Sequence, residues 1–136
     1  MENNTTGMHC IALNLNHLGF EENTVSILMN SWREGTKQQY KPFINQWFQY
    51  AEDKGLCNRY NPPTPEALEF LTKLFNSGAS YNKINTAKSA LSALFMDNSN
   101  VSFGKFPVVK RFMKGIYESR PVFSKILLCL GCIYCV

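Results

Sequence analysis

Lys83, Asn85, Thr86, Lys88, Ser89 and Ser92 fall within ten residues of one another, and no carboxylate follows in that stretch before Asp97. Lysine ammonium groups neutralise phosphates, serine and threonine hydroxyls donate to phosphate oxygens, and an asparagine amide can pair with the edge of adenine. A solvated helix ordinarily mixes both signs of charge. A face of lysine, amide and hydroxyl suits an anionic groove, although a soluble surface that merely lacks acids has the same composition. Two further segments share this character. Arg33, Lys37, Gln38, Gln39 and Lys41 lie upstream, and Lys105, Lys110, Arg111 and Lys114 lie downstream. Lysines also serve only to solubilise small domains, so each segment alone is ambiguous; three together point to phosphate.

Catalytic constellations are missing from the chain. His9 and His17 are the two histidines, and neither has a partner pattern for proton transfer. Glu66 and Glu69 stand three apart; the first favours a helix dipole and the second reads as solvated. No glycine-rich phosphate loop, His-Glu-x-x-His motif or Ser-His-Asp set occurs. Cys129, Cys132 and Cys135 follow a C-x-x-C-x-x-C spacing known from metal and cluster sites, but they lack further ligands beyond the isolated Cys10 and Cys57. A hydrophobic tail with incidental cysteines explains the same spacing. Neither a cofactor nor a metal is expected, nor a small-molecule substrate.

The elements that must position the basic segments follow from apolar spacing. A short helix is predicted from Asn23 or Thr24 to Asn30. Thr36 reads as an N-cap, and Tyr40, Phe43, Ile44, Trp47, Phe48 and Ala51 then form an apolar stripe that ends at Gly55. Pro42 conflicts with that helix, because it removes a hydrogen bond and bends or interrupts the axis. Thr64 caps the next helix with Pro65 at its first position. Ala67, Leu68, Leu71, Leu74 and Phe75 face inward, and Gly78 ends it. Ser80 caps a helix whose inner face is Tyr81, Ile84, Ala87, Leu91, Leu94 and Phe95. A loop over Asp97 to Gly104 leads to a last helix opened by Pro107, with Val108, Val109, Phe112, Met113, Ile116 and Tyr117 inward, that stops before Pro121. No segment alternates as a strand would. The expectation is an all-α domain over 23–121, four substantial helices and a short leading one, with 1–22 as a loose leader and 122–136 as a short tail outside the domain.

The bulk properties agree with one domain. The chain has 136 residues and a formal net charge of +4. Between Ser31 and Arg120 stand 13 Lys/Arg against seven Asp/Glu, whereas the segment before Ser31 has three Glu and neither Lys nor Arg. The positive charge therefore belongs to the helical body. Met1 to Gly7 lacks the pattern of a secretory signal, and the longest apolar run is about half of the ~18 residues that span a membrane. A nuclear or cytoplasmic location without a membrane partner is expected, with cysteines reduced.

Ser31-Trp32-Arg33 through Thr36-Lys37-Gln38-Gln39-Tyr40, then Trp47 and Gly55, resembles the N-terminal core-binding domain of tyrosine recombinases, the phage-integrase-like enzymes. Pro63-Thr64-Pro65 with Leu68-Glu69-Phe70-Leu71 is similar to the next helix of that domain. The run from Ser80 to Ser92 is the nearest match and looks like the branch associated with eukaryotic retroelements of the DIRS and Crypton types. Lys114-Gly115-Ile116 and Arg120-Pro121 resemble the end of the domain. The resemblance covers about residues 25–121. It implies a four- to five-helix orthogonal, SAM-like bundle that closes on double-stranded DNA together with a catalytic half. It also implies that Lys37, Gln38, Lys83, Asn85, Thr86, Lys88 and Ser89 face the DNA, with self-association on the duplex. Only 15 residues follow Pro121, and Tyr134 among them lacks the context of the family's nucleophile. The expectation is a DNA-binding module of the recombination and integration machinery without catalysis of its own. The alternatives are a helical protein-interaction module and a relic of a mobile element.

Overall fold

A computed structural model describes residues 8–95 and 102–119. Most of them lie in six helices: α1 (Met8–His17), α2 (Glu22–Met29), α3 (Glu34–Lys54), α4 (Thr64–Asn76), α5 (Tyr81–Leu94) and α6 (Pro107–Ser119), with one 3-10 turn over Phe103–Lys105. No strand occurs among the described residues, so the domain is an all-α bundle.

The start and stop signals act where the residue chemistry puts them. Ser80 Oγ accepts a hydrogen bond from the Lys83 backbone N–H at 3.2 Å and so caps α5. Gly55 closes α3 in the left-handed conformation at φ 70°, which lets the Leu56 N–H reach the Ala51 carbonyl at 2.9 Å. Pro107 opens α6, where the missing N–H costs nothing. Three boundaries differ from expectation. α2 begins at Glu22 with Glu21 at its N-cap, so Asn23 and Thr24 lie inside its first turn. α3 begins at Glu34 with Arg33 at the N-cap, so Thr36 sits inside the first turn; the Lys37 N–H already bonds the Arg33 carbonyl at 3.0 Å. α4 starts at Thr64, which leaves the N-cap to Pro63.

Helix α3 runs unbroken through Pro42. A proline there leaves the Gln38 carbonyl without its helical donor, at a cost of about 3 kcal/mol if nothing compensates. Gln38 and Pro42 are both exposed, so water reaches the freed carbonyl.

The core forms around Trp47, which is fully buried. Its ring stacks on Tyr50 at 5.6 Å and meets Phe70 and Phe95 edge-on at 5.5 and 5.3 Å; Phe95 carries the contact on to Phe103 at 5.4 Å. The indole N–H donates to the Arg59 carbonyl at 2.9 Å. Helix α5 is the central element, packed against α1, α3, α4, α6 and the 3-10 turn. That position explains its run of small and branched inward residues, Ile84, Ala87, Ala90, Leu91, Ala93 and Leu94.

The segment read as a loose leader contributes to this core. α1 buries Ile11 and Leu15 completely, one turn apart, and between them the Asn14 side-chain amide donates to the Leu94 carbonyl at 3.1 Å. An isolated ten-residue helix is marginal in water. Burial against α2, α3 and α5 stabilises it, and that is a tertiary effect.

Candidate nucleic-acid interface

The polar stripe of α5 is not an open ridge. Asn82 and Lys83 are exposed, but Asn85, Thr86, Lys88, Ser89 and Ser92 are half-buried. The cause is the central place of α5: α3 rises on one side of the stripe and the 102–105 turn on the other. Two hydroxyls are already engaged within this arrangement. Thr86 Oγ1 donates to the Asn82 carbonyl at 3.0 Å, and Ser92 Oγ donates to the Lys88 carbonyl at 3.0 Å while accepting from the Gly104 N–H at 3.0 Å.

Two open clefts flank the stripe. The larger, of about 660 Å³, lies between Gln39, Pro42, Phe43 and Gln46 of α3, the α4–α5 turn, and Asn82, Lys83 and Thr86 of α5. The second, of about 410 Å³, is walled by Trp32 and Tyr40 on one side and Ser102, Gly104 and Lys105 on the other, over Lys88, Ser89, Ser92 and Ala93. Among the described residues no carboxylate lines either cleft. Asn85 lies on α5 between the residues of the two. Among the described residues neither Lys83 nor Lys88 forms an ion pair.

The other expected site residues do not join these clefts. Arg33 stands exposed at the N-cap of α3 and Gln38 is exposed in its second turn. Lys37 and Lys41, half-buried and four residues apart, lie on the flank of α3 that continues to Ile44 and Phe48. Helical periodicity puts Gln39, Pro42 and Gln46 on the opposite flank, which is the one that faces α5. Lys37 and Gln38 are thus separated from the Lys83 surface with which the resemblance groups them. Lys110, Arg111 and Lys114 are exposed on α6, and Lys114 is 3.7 Å from Glu118 across one helical turn. A pair this exposed contributes little to stability.

Residues absent from the expected set complete the surface, namely Gln46, Asn82, Trp32 and Tyr40, and Lys105 of the downstream basic segment joins them. A signal existed for some of them. Gln39 and Gln46 stand seven apart and Asn82 and Thr86 four apart, each pair on one helical stripe. Which stripe meets which depends on how α3 and α5 cross.

The acids cluster elsewhere. Lys54 of α3 lies 3.7 Å from Glu66 and 3.4 Å from Glu69 of α4, so Glu69 is an ion-pair partner and not merely solvated. The Tyr50 hydroxyl lies 3.5 Å from Glu66 Oε1. Burial, and then the charge of Glu69, raise the Tyr50 pKa above its ordinary 10.0; Glu66 and then Glu69 raise that of Lys54 above 10.5. Both groups hold their protons more tightly folded than unfolded. Their stabilisation is complete below pH ~10 and is lost as the pH rises through the folded values. Urea unfolding compared at about pH 8 and about pH 11 is expected to show this loss, and Tyr50→Phe is expected to make it shallower. An unchanged slope in that variant would remove Tyr50 from the account.

Among the described residues no group of three His, Cys, Asp or Glu side chains could hold a metal ion, and no helix is long and apolar enough to cross a membrane. His9 and His17 are exposed on α1. Asp97, Arg120, Pro121, Tyr134 and the Cys129, Cys132 and Cys135 tail lie outside the described residues. Compared with known proteins, the chain matches no family model, no curated protein and no solved structure.

Proposed function

We propose that this chain is a module that binds double-stranded DNA, of the kind that forms the first half of the clamp in tyrosine recombinases, and that its parent role is DNA recombination and integration. One observation carries the reading. The stripe of α5 brings Lys83, Asn85, Thr86, Lys88 and Ser89 to a surface whose two clefts contain no carboxylate and whose lysines have no ion-pair partner among the described residues. A surface built only for solubility has no reason to exclude acids from two adjoining clefts, whereas a phosphate backbone does. The half-burial of Lys88 supports the same reading, because a packed stem holds the ammonium in place before the ligand arrives.

Retention of the full chain on a short duplex tests it. With about four to six phosphates neutralised, the association constant is expected to fall about a hundred- to a thousandfold between ~50 and ~200 mM salt. Lys83→Glu together with Lys88→Glu is expected to weaken binding about tenfold or more, with the thermal melt little changed. Unaltered retention in that double variant would remove this surface from the interface. Salt-independent capture of a protein without duplex retention would favour an interaction module. The observation on that side is the exposure of Leu13 on α1, Phe20 in the connection that follows and Ile27 on α2, a segment that carries no Lys or Arg.

A further inference from the structure

The smaller cleft has a chemistry that duplex backbone binding does not require. Its wall contains Trp32 and Tyr40, both half-buried. The core aromatics pair with one another, but neither of these two rings takes part in a ring pair among the described residues. The facing wall supplies Lys105, and the floor supplies Lys88 and Ser89.

The two lysines are brought together by Gly104. A Cβ at that position would lie 2.9 Å from Ser92 Oγ and 3.6 Å from Lys88 Cε. A side chain at this position would have to displace the Ser92 hydroxyl, so glycine lets the turn sit this close to α5, where its N–H bonds Ser92 Oγ at 3.0 Å. The close approach sets Gly104 beside the stem of Lys88, so that Lys88 and Lys105 line one cleft of about 410 Å³, within the size range of small-molecule sites.

We propose that this cleft takes one unpaired nucleotide of a nucleic-acid strand, with the base against Trp32 and Tyr40 and its phosphate between Lys88 and Lys105. The proposal rests on the nucleic-acid reading above and adds a subsite for a base outside the double helix. Aromatic faces recognise any base by stacking, cations hold the adjoining phosphates, and among the described residues no carboxylate lines the cleft to oppose that charge. A base stacked in a duplex cannot reach such a wall, so the cleft distinguishes an open strand, a bulge or an end from continuous duplex.

The test uses the full chain at low salt with three probes of about twelve nucleotides or base pairs: oligo(dT), oligo(rU) and a blunt duplex. Trp32→Ala and Tyr40→Ala are each expected to weaken oligo(dT) binding roughly five- to a hundredfold and to change duplex binding less than about twofold. Trp32→Phe, which keeps a ring, is expected to retain most of the affinity. Because an alanine variant could unfold, the unsubstituted protein supplies a second readout. Of its two tryptophans, Trp47 is fully buried, so quenching by oligo(dT) reports Trp32. Oligo(rU) binding as well as or better than oligo(dT) would support the subsite and identify RNA as its source of unpaired bases; weaker binding would support DNA. Unquenched tryptophan emission at saturating oligo(dT), or equal losses on oligo(dT) and duplex in Trp32→Ala, would overturn the subsite. If salt-sensitive duplex retention persists under that result, the subsite alone fails. If the protein retains no nucleic acid, the underlying reading fails with it.

Discussion

Trp47→Ala is expected to remove about 3–5 kcal/mol from the unfolding free energy, a large part of the 5–15 kcal/mol that holds a typical domain. The ring is fully buried and contacts Tyr50, Phe70 and Phe95 at centroid distances of 5.3 to 5.6 Å, so its loss opens a cavity at the meeting point of α3, α4 and α5. It also leaves the Arg59 carbonyl without the indole N–H that reaches it at 2.9 Å. Trp47→Phe separates the two effects. It keeps most of the apolar volume and forfeits the donor, for an expected cost of about 1–3 kcal/mol. Urea unfolding followed by far-UV circular dichroism measures both. A Trp47→Ala protein that loses less than about 1 kcal/mol would show that the aromatic cluster is not the centre of the core.

Removing residues 1–19 is expected to abolish cooperative unfolding. Ile11 and Leu15 are completely buried, and truncating either to alanine is expected to cost about 2–5 kcal/mol. The two share neighbours, so their losses will not simply add, but deleting the whole helix also exposes the faces of α2, α3 and α5 that it covers. The consequence reaches the proposed interface. The Asn14 amide holds the Leu94 carbonyl at the C-terminal end of α5, six residues beyond Lys88 and two beyond Ser92. Fraying of that end would release the stripe from the 102–105 turn. Near-UV circular dichroism and thermal melting of the truncated chain decide the matter. A sharp transition close to that of the intact protein would return this segment to the status of a leader.

The contrast between α1 and α5 shows what could be read in advance. α5 was legible because Ser80 marks its start, its inward residues repeat at three and four, and its polar residues are all of one kind. α6 was legible from Pro107 and its apolar spacing, but the stripe is narrower than expected: Val109, Met113 and Ile116 are buried, whereas Val108 and Tyr117, at its edges, are exposed. α1 has ten residues, no acid in its first turn, and Asn14 and Asn16 interleaved with its apolar positions. Nothing local distinguishes such a stretch from a marginal turn, and only its neighbours make it a helix.

The candidate surface divides in the same way. Residue type and helical period determined that Lys83, Asn85, Thr86, Lys88 and Ser89 leave the apolar side of one helix, because both facts belong to a single segment. The tertiary structure decided that the flank of α3 with Gln39 and Gln46, and not the one with Lys37 and Lys41, meets this stripe, and that Trp32, Tyr40 and Lys105 stand around Lys88. Those positions are set by the crossing of α3 and α5 and by the approach of the turn that Gly104 permits. Local periodicity specifies a face of a helix; the packing of separate segments specifies what stands opposite it.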